Sequence, residues 1–484
     1  LPKPEEEDSR ELKRDIGIWG SFAMGYADVG ADVYVALGVI AAFAGVVSPI
    51  AFGIAAITYV CTGLCYAELA TAYPVAGGGQ FYSLKAFGKI HGFVAGWGLM
   101  LDYTIDIALF ALATVGYLGF ITNMVTHSSL LFVSPYYGIT AIALILLLLV
   151  LNLLGIRYSS KFNELVVLVG LVTVGIFFAV GVPSIIMSGA LSAWLGQAAN
   201  AFKTGIFGMP GGGYGSFVYA VSLATASYIG IESISQAAEE TRHPAHVIPR
   251  ATKGAIVSVI AVAVTLSLLS VTLTPWQAIA GNSQDPAVVI AQYLPYIGAW
   301  FALWVGIVGA FSCYVSTNTG VIGVSRVTFS MGRLGLLPKG LGRISYRYRT
   351  PYITIIIFSL VACLLLVVNL ALPGPELLGL VTSLYNFGAL VAYMYVNAAA
   401  IVLRFKEPER KGWKMPLNVA VSRKGRRFEV SLVPVAGLIS SIVVWLIIVG
   451  THSMGRTIGT IWFIVGIAGY LIYQRFKGGE NAND

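Results

Sequence analysis

Five acidic residues stand in apolar sequence where charge is costly. Asp28 and Asp32 lie within G-Y-A-D-V-G-A-D-V-Y-V-A-L-G, residues 25–38. Asp102 and Asp106 follow in G-W-G-L-M-L-D-Y-T-I-D-I-A-L-F, and Glu232 in A-S-Y-I-G-I-E-S-I-S-Q. Asp102 and Asp106 are four residues apart, which puts them on one face of a helix. A carboxylate at the centre of a bilayer costs at least about 2.5–3.5 kcal/mol on insertion scales. Acids kept there despite that cost bind cations or carry protons. A carboxylate withdrawn from water favours its protonated form, neighbouring acids reinforce this, and such a group exchanges a proton near neutral pH. Proton coupling, or coupling to an alkali cation, is therefore expected through Asp28 and Asp106. The hydroxyls of Ser316 and Thr317, in S-C-Y-V-S-T-N-T-G, are candidate ion ligands. Hydroxyls inside a span more commonly bond to their own helix backbone.

The elements that hold these acids are membrane spans. The chain has 484 residues, 57% hydrophobic and 11% charged, against about 25% charged in soluble proteins. At about 20 residues per crossing, roughly twelve spans fit. The expected organisation is an all-α polytopic membrane protein. Its parts are a cytoplasmic segment over 1–15, five spans over 16–187 and an outer connecting segment over 188–213. Five more spans over 214–404, a cytoplasmic loop over 405–429, spans eleven and twelve over 430–474 and a tail over 475–484 complete it. With the N-terminus inside, only Lys203 and Arg456 of the 30 lysines and arginines fall outside. Both termini are thus expected to be cytoplasmic, in the cytoplasmic (inner) membrane. The net charge of +8 follows loops that face anionic lipid and is no sign of nucleic-acid binding. No cleavable signal peptide is read, because the first apolar run is too long for one.

Glycine flanks the acids at Gly25, Gly30 and Gly38, and again at Gly230 beside Glu232. Such residues let backbone leave a helix, and irregular backbone at membrane depth is tolerated where it lines a cavity. Spans one and six are therefore expected to be discontinuous, five spans apart, as the first helices of two inverted repeats. The substrate site is placed between Gly30-Ala31-Asp32 and Tyr228-Ile229-Gly230-Ile231-Glu232.

Other patterns carry less. Cys61 and Cys65 are one helical turn apart with no histidine beside them, and the five histidines have no zinc spacing, so no metal and no cofactor are expected. Gly77-Gly78-Gly79 is not followed by the Lys-Ser or Lys-Thr of a phosphate loop. Glu68, near the inner end of span two, reads as a hydrogen-bonded carboxylate at the cytoplasmic mouth. An enzyme is excluded by the lack of a nucleophile–base or nucleotide motif. A transporter-like membrane sensor would need an appended soluble domain that the loops do not provide.

The chain resembles permeases of the amino acid–polyamine–organocation superfamily over about residues 14–404. The likeness is carried by C-Y-A-E-L-A-T-A-Y-P-V-A-G-G from Cys65, I-G-I-E-S-I-S-Q-A-A-E-E-T-R-H-P-A-H-V-I-P-R from Ile229, and S-R-V-T-F-S-M-G-R-L-G-L-L-P-K from Ser325. It implies the five-plus-five inverted-repeat fold of the bacterial leucine transporter, with alternating access. Two departures bear on the substrate and the driving ion. The family's G-S-G in the first helix is Gly30-Ala31-Asp32 here, and a fifth-helix lysine of many proton-coupled members falls at Gly170. The first-helix stretch from Asp28 is also similar to Kup-type potassium uptake proteins, which keeps a potassium or other cation symporter as the alternative. An Asp32 carboxylate about 4 Å from a substrate carboxylate would repel it by roughly 4 kcal/mol at an effective dielectric of 20. The same group attracts an ammonium. Monoamine carriers of the leucine-transporter fold place an aspartate in the corresponding helix, so a cationic amine or polyamine is expected over a zwitterionic amino acid.

Overall fold

The computed structural model describes residues 14–154, 156–204, 215–282, 284–346, 348, 350–371, 376–423 and 426–480. Of the expected segments, the cytoplasmic stretch before residue 14 and the part of the outer connection over 205–213 lie outside them.

The expected spans appear in order as helices. They are α1 (Ile18–Ala44), α2 (Ser48–Ala72), α3 (Lys89–Thr126), α4 (Tyr136–Leu153), α5 (Ile156–Ile176) and α6 (Gly215–Ala226). The second half supplies α7 (Pro244–Thr272), α8 (Gly298–Arg333), α9 (Tyr352–Ala371), α10 (Glu376–Lys406), α11 (Val433–Thr451) and α12 (Ser453–Glu480). Most are long and apolar enough to cross a membrane; α6 and α9 are shorter apolar helices. The chain is a mostly helical, polytopic membrane protein.

The packing centres on α3 and α8, which share the most extensive helix contact, with α1, α2, α7 and α10 around them. Small residues allow the approach. At the crossing of α3 and α10, a Cβ on Gly98 would lie 2.7 Å from the Gly388 carbonyl oxygen, and one on Gly388 2.6 Å from that of Gly98. α11 and α12 lie outside this core. They turn at His452, whose ring stacks on Tyr219 of α6 at 4.3 Å and 12°.

Burial pushes the His452 imidazole down to about 4. A base whose folded value lies below its unfolded value takes up protons on unfolding, so its share of stability is present above about pH 6.5 and lost toward pH 4. We expect melting curves to show about 2 kcal/mol of this loss by pH 5. A His452→Gln variant should show a shallower decline over that interval, and an unchanged slope would remove the assignment.

Three expectations are corrected. First, α1 is one continuous helix through Gly30, Ala31 and Asp32, not a broken one. Its glycines serve packing instead: a Cβ on Gly25 would lie 2.6 Å from Ile234. Alanine at position 31 is the strongest helix former where the related G-S-G has serine between two glycines. Second, the eighth of the expected spans is not one run but is divided into a short helix Pro286–Gln292 and α8. Pro295 lies between them and cannot donate to a continuing helix; Tyr296 follows at φ 69°. Third, the loop after α10 holds strands β1 (Asn418–Arg423) and β2 (Arg426–Ser431) in antiparallel register, Val419 opposite Val430 and Val421 opposite Phe428. The β-branched Val419 and Val421, two apart and so on one face, suit a pleated strand.

Candidate functional site

The break expected in the second repeat is present. α6 ends at Ala226, residues 227–232 are irregular, and a single helical turn resumes over Ser233–Gln236. Gly230 has φ +120°, open to glycine and rare for any other residue. Its N–H lies 3.2 Å from both Glu232 Oε2 and the Tyr393 hydroxyl. Among the described residues the Ile231 and Glu232 amides have no backbone carbonyl partner. The Glu232 amide faces its own carboxylate, which leaves the Ile231 amide as the donor that this break offers a ligand at membrane depth.

The break faces the middle of α1. Ser233 Oγ lies 2.6 Å from Asp28 Oδ2 and 2.5 Å from the Gly230 carbonyl oxygen, and its one proton serves either. Contact is so close that a Cβ on Gly230 would fall 2.6 Å from Asp28 Cγ. From the other side, Ser316 Oγ of α8 donates to the Asp28 backbone oxygen at 3.4 Å. One turn along α1, Asp32 Oδ2 accepts from Tyr385 at 3.3 Å. On the opposite side of the break, Tyr393 donates to Glu232 Oε2 at 2.7 Å. Asp32, Ser227 and Ala226 line a small cavity of about 20 Å³ together with Val39, Leu109 and Leu223. The Ser227 hydroxyl is buried without a partner, so a polar group facing this cavity would satisfy it.

Asp102 and Asp106 of α3 complete the group. Both are fully buried, and among the described residues none of their four carboxylate oxygens has a hydrogen-bond partner. Asp106 packs on α8 where Gly320 leaves room: a Cβ there would stand 2.4 Å from Asp106 Oδ2. The five acids are within electrostatic reach of one another. Among the described residues none forms an ion pair; the buried arginines are taken by Glu240, 2.8 Å from Arg326, and by Glu68.

The structure thus gathers Asp28, Asp32, Asp106, Glu232, Gly230 and Ser316 around one region. The Thr317 hydroxyl donates to the Cys313 carbonyl oxygen at 3.1 Å within α8, which leaves its lone pairs for another partner. Ala31, Gly30 and Gly170 line a separate narrow cavity with Tyr34, Ser312 and Val315 on the far side of α1. Sequence reading missed Ser227, Ser233, Tyr385, Tyr393 and Gly320. Ser227, Ser233 and Gly320 stood inside segments already singled out. The tyrosines of α10 carry no local signal.

The sequence model of the family described as "Amino acid permease" matches residues 16–473. The chain belongs to this family. The permease is 27% identical over 482 residues to the branched-chain amino acid permease BcaP of Bacillus subtilis, covering 96% of this chain and 94% of that one. It is 25% identical to the methylthioribose transporter of the same organism, over 97% and 95% of the two chains. With cationic amino acid transporter 4 of Mus musculus it shares 26% identity over 84% of this chain and 62% of that protein. The permease is therefore a transporter of a small molecule and not an enzyme.

Its geometry makes Gly320 a sensitive position. A Gly320→Ala permease should retain its fold but displace Asp106. Uptake by purified protein in liposomes should fall at least about tenfold with little change in melting temperature, and wild-type uptake would remove Asp106 from the working site.

Proposed function

We propose that this permease moves a small amine-bearing solute, cationic at the atom that Asp32 meets, by alternating access driven by protons. The observation that carries the reading is the set of five buried carboxylates with no ion-pair partner among the described residues. An uncompensated buried charge is costly, so protons or a cationic ligand must neutralise the group. Asp32 beside the Ser227 cavity suits the substrate ammonium. The Ile231 amide at the helix-six break suits its carbonyl or other polar end. Asp28, held between Ser233 and Ser316, and Asp106, with no hydrogen-bond partner among the described residues, suit proton uptake and release. Gly170 rules out a lysine at the position where many relatives carry one, so carboxylates take the coupling role.

The names of the relatives span branched-chain amino acids, methylthioribose and cationic amino acids. Asp32 favours the cationic end of that range. Competition against a bound radiolabelled substrate tests it. Decarboxylated amines and cationic amino acids should displace the label better than neutral amino acids, and Asp32→Gly should weaken amine binding by up to about a thousandfold. Displacement by neutral amino acids alone would refute the charge reading, and displacement by potassium alone would favour an inorganic-cation symporter. For the driving ion, an inward proton gradient should accelerate uptake into liposomes and Asp106→Asn should abolish that acceleration. Uptake indifferent to pH in both proteins would exclude proton coupling.

A further inference from the structure

We propose that the cavity between the end of α2, the end of α10 and the β1–β2 hairpin is a binding site for a phosphate group. It is separate from the transport site and has a volume of about 380 Å³. Its floor is Glu68, whose one carboxylate is shared by two guanidinium groups. Arg404 Nε donates to Oε1 at 2.8 Å and Arg404 Nη2 to Oε2, while Arg410 Nη2 also donates to Oε1. The Met415 amide adds a bond to Oε2 at 2.8 Å. The side chains of Arg404 and Arg410 are only 5% and 6% exposed. Two buried cations on one buried anion leave a positive charge uncompensated, which is costly away from water.

The surplus has a position. Arg410 Nη1 is buried and has no hydrogen-bond partner, although a guanidinium carries five donors. The other nearby acid, Glu407, acts on Arg410 only through space and makes its direct contacts elsewhere. It accepts from the Tyr73 hydroxyl at 2.7 Å and pairs with Lys85 at 3.0 Å, which together hold its carboxyl below the usual range. The wall adds Lys414, in an exposed pair with Glu429 at 3.4 Å, and the exposed Arg427, which has no ion partner among the described residues. An exposed pair of that length is weak, so Lys414 is available to a second anion. Donors converging from Arg410, Lys414 and Arg427 match a tetrahedral anion of charge up to about −2 better than a planar carboxylate.

Two sources present that chemistry: free phosphate or a phosphate monoester, and the headgroup of an anionic phospholipid. The test uses the purified full-length permease in nanodiscs. In one arm the lipid is phosphatidylcholine and inorganic phosphate is titrated against chloride of equal ionic strength. In the other the buffer is phosphate-free and phosphatidylglycerol is added to the lipid. Melting temperature is the readout, since a ligand of the folded state raises it.

A saturable rise is expected in at least one arm. The first arm alone identifies free phosphate, the second alone the headgroup. In Arg427→Gln the apparent Kd should weaken at least about tenfold, the loss of one charge-assisted contact. Arg410→Lys should do the same while keeping the charge on Glu68. Should Arg410→Lys fail to fold, Arg427→Gln decides. No saturable rise in either arm, or a rise that both variants leave unchanged, overturns the proposal.

Discussion

Replacing Gly230 by alanine will reduce uptake in liposomes by at least about a hundredfold. Two effects combine. The residue sits at φ +120°, where a side chain costs about 1–3 kcal/mol. The added Cβ would also fall 2.6 Å from Asp28 Cγ and Oδ2, inside contact distance. Asp28 has no room to retreat, because Ser233 and Ser316 hold it from two sides and it is buried in the middle of an unbroken helix. The change therefore parts α1 from the helix-six break, the surface on which the substrate is proposed to sit. A companion variant separates folding from function. Gly230→Ala combined with Asp28→Ala removes the clash and should recover much of the melting temperature without recovering uptake. Wild-type uptake in Gly230→Ala would show that this contact is not part of the transport path.

The second large effect is at Glu68. Changing it to glutamine leaves Arg404 and Arg410 buried with no carboxylate between them. Removing one member of a buried ion pair costs about 3–5 kcal/mol, mostly through the charge left behind. The melting temperature of Glu68→Gln should fall by several degrees. Inorganic phosphate should restore part of it if the adjoining cavity accepts that anion. Replacing Glu68, Arg404 and Arg410 together with leucine or methionine should cost much less than the single change, since an apolar set leaves no orphaned charge. A melting temperature within about 1 °C of wild type in Glu68→Gln would contradict the arrangement.

Much of this molecule is legible in its sequence because the bilayer restricts the choices. Apolar runs of spanning length have to be helices, and a carboxylate inside one needs a reason. That logic found all five acids and the irregular segment at Gly230. It misread the first helix because glycine beside an acid has two uses. At Gly230 it permits a positive φ, while at Gly25 it admits the side chain of Ile234. Only the neighbouring helix distinguishes them. The partners of Glu68 were hidden for a different reason: Arg404 is 336 residues away and Arg410 is 342. No local pattern links positions so far apart. Tyr385 and Tyr393 were missed likewise, since aromatic residues in an apolar span look like ordinary packing until an acid is seen beside them.

The Glu68–Arg404–Arg410 knot also limits how the permease can open. It clamps the end of α2, from the first half of the chain, to the end of α10, from the second, and the β1–β2 hairpin is fastened to the same arginine through Asn418 and the Glu429 carbonyl oxygen. Sliding α2 against α10 would strip one carboxylate from two guanidinium groups in a single step. The seam between the helix-six segment and α8 carries two separate pairs, the buried Arg326–Glu240 and the more exposed Arg333–Glu239. Under the proposed alternating access, α2 and α10 are therefore expected to move together as one body.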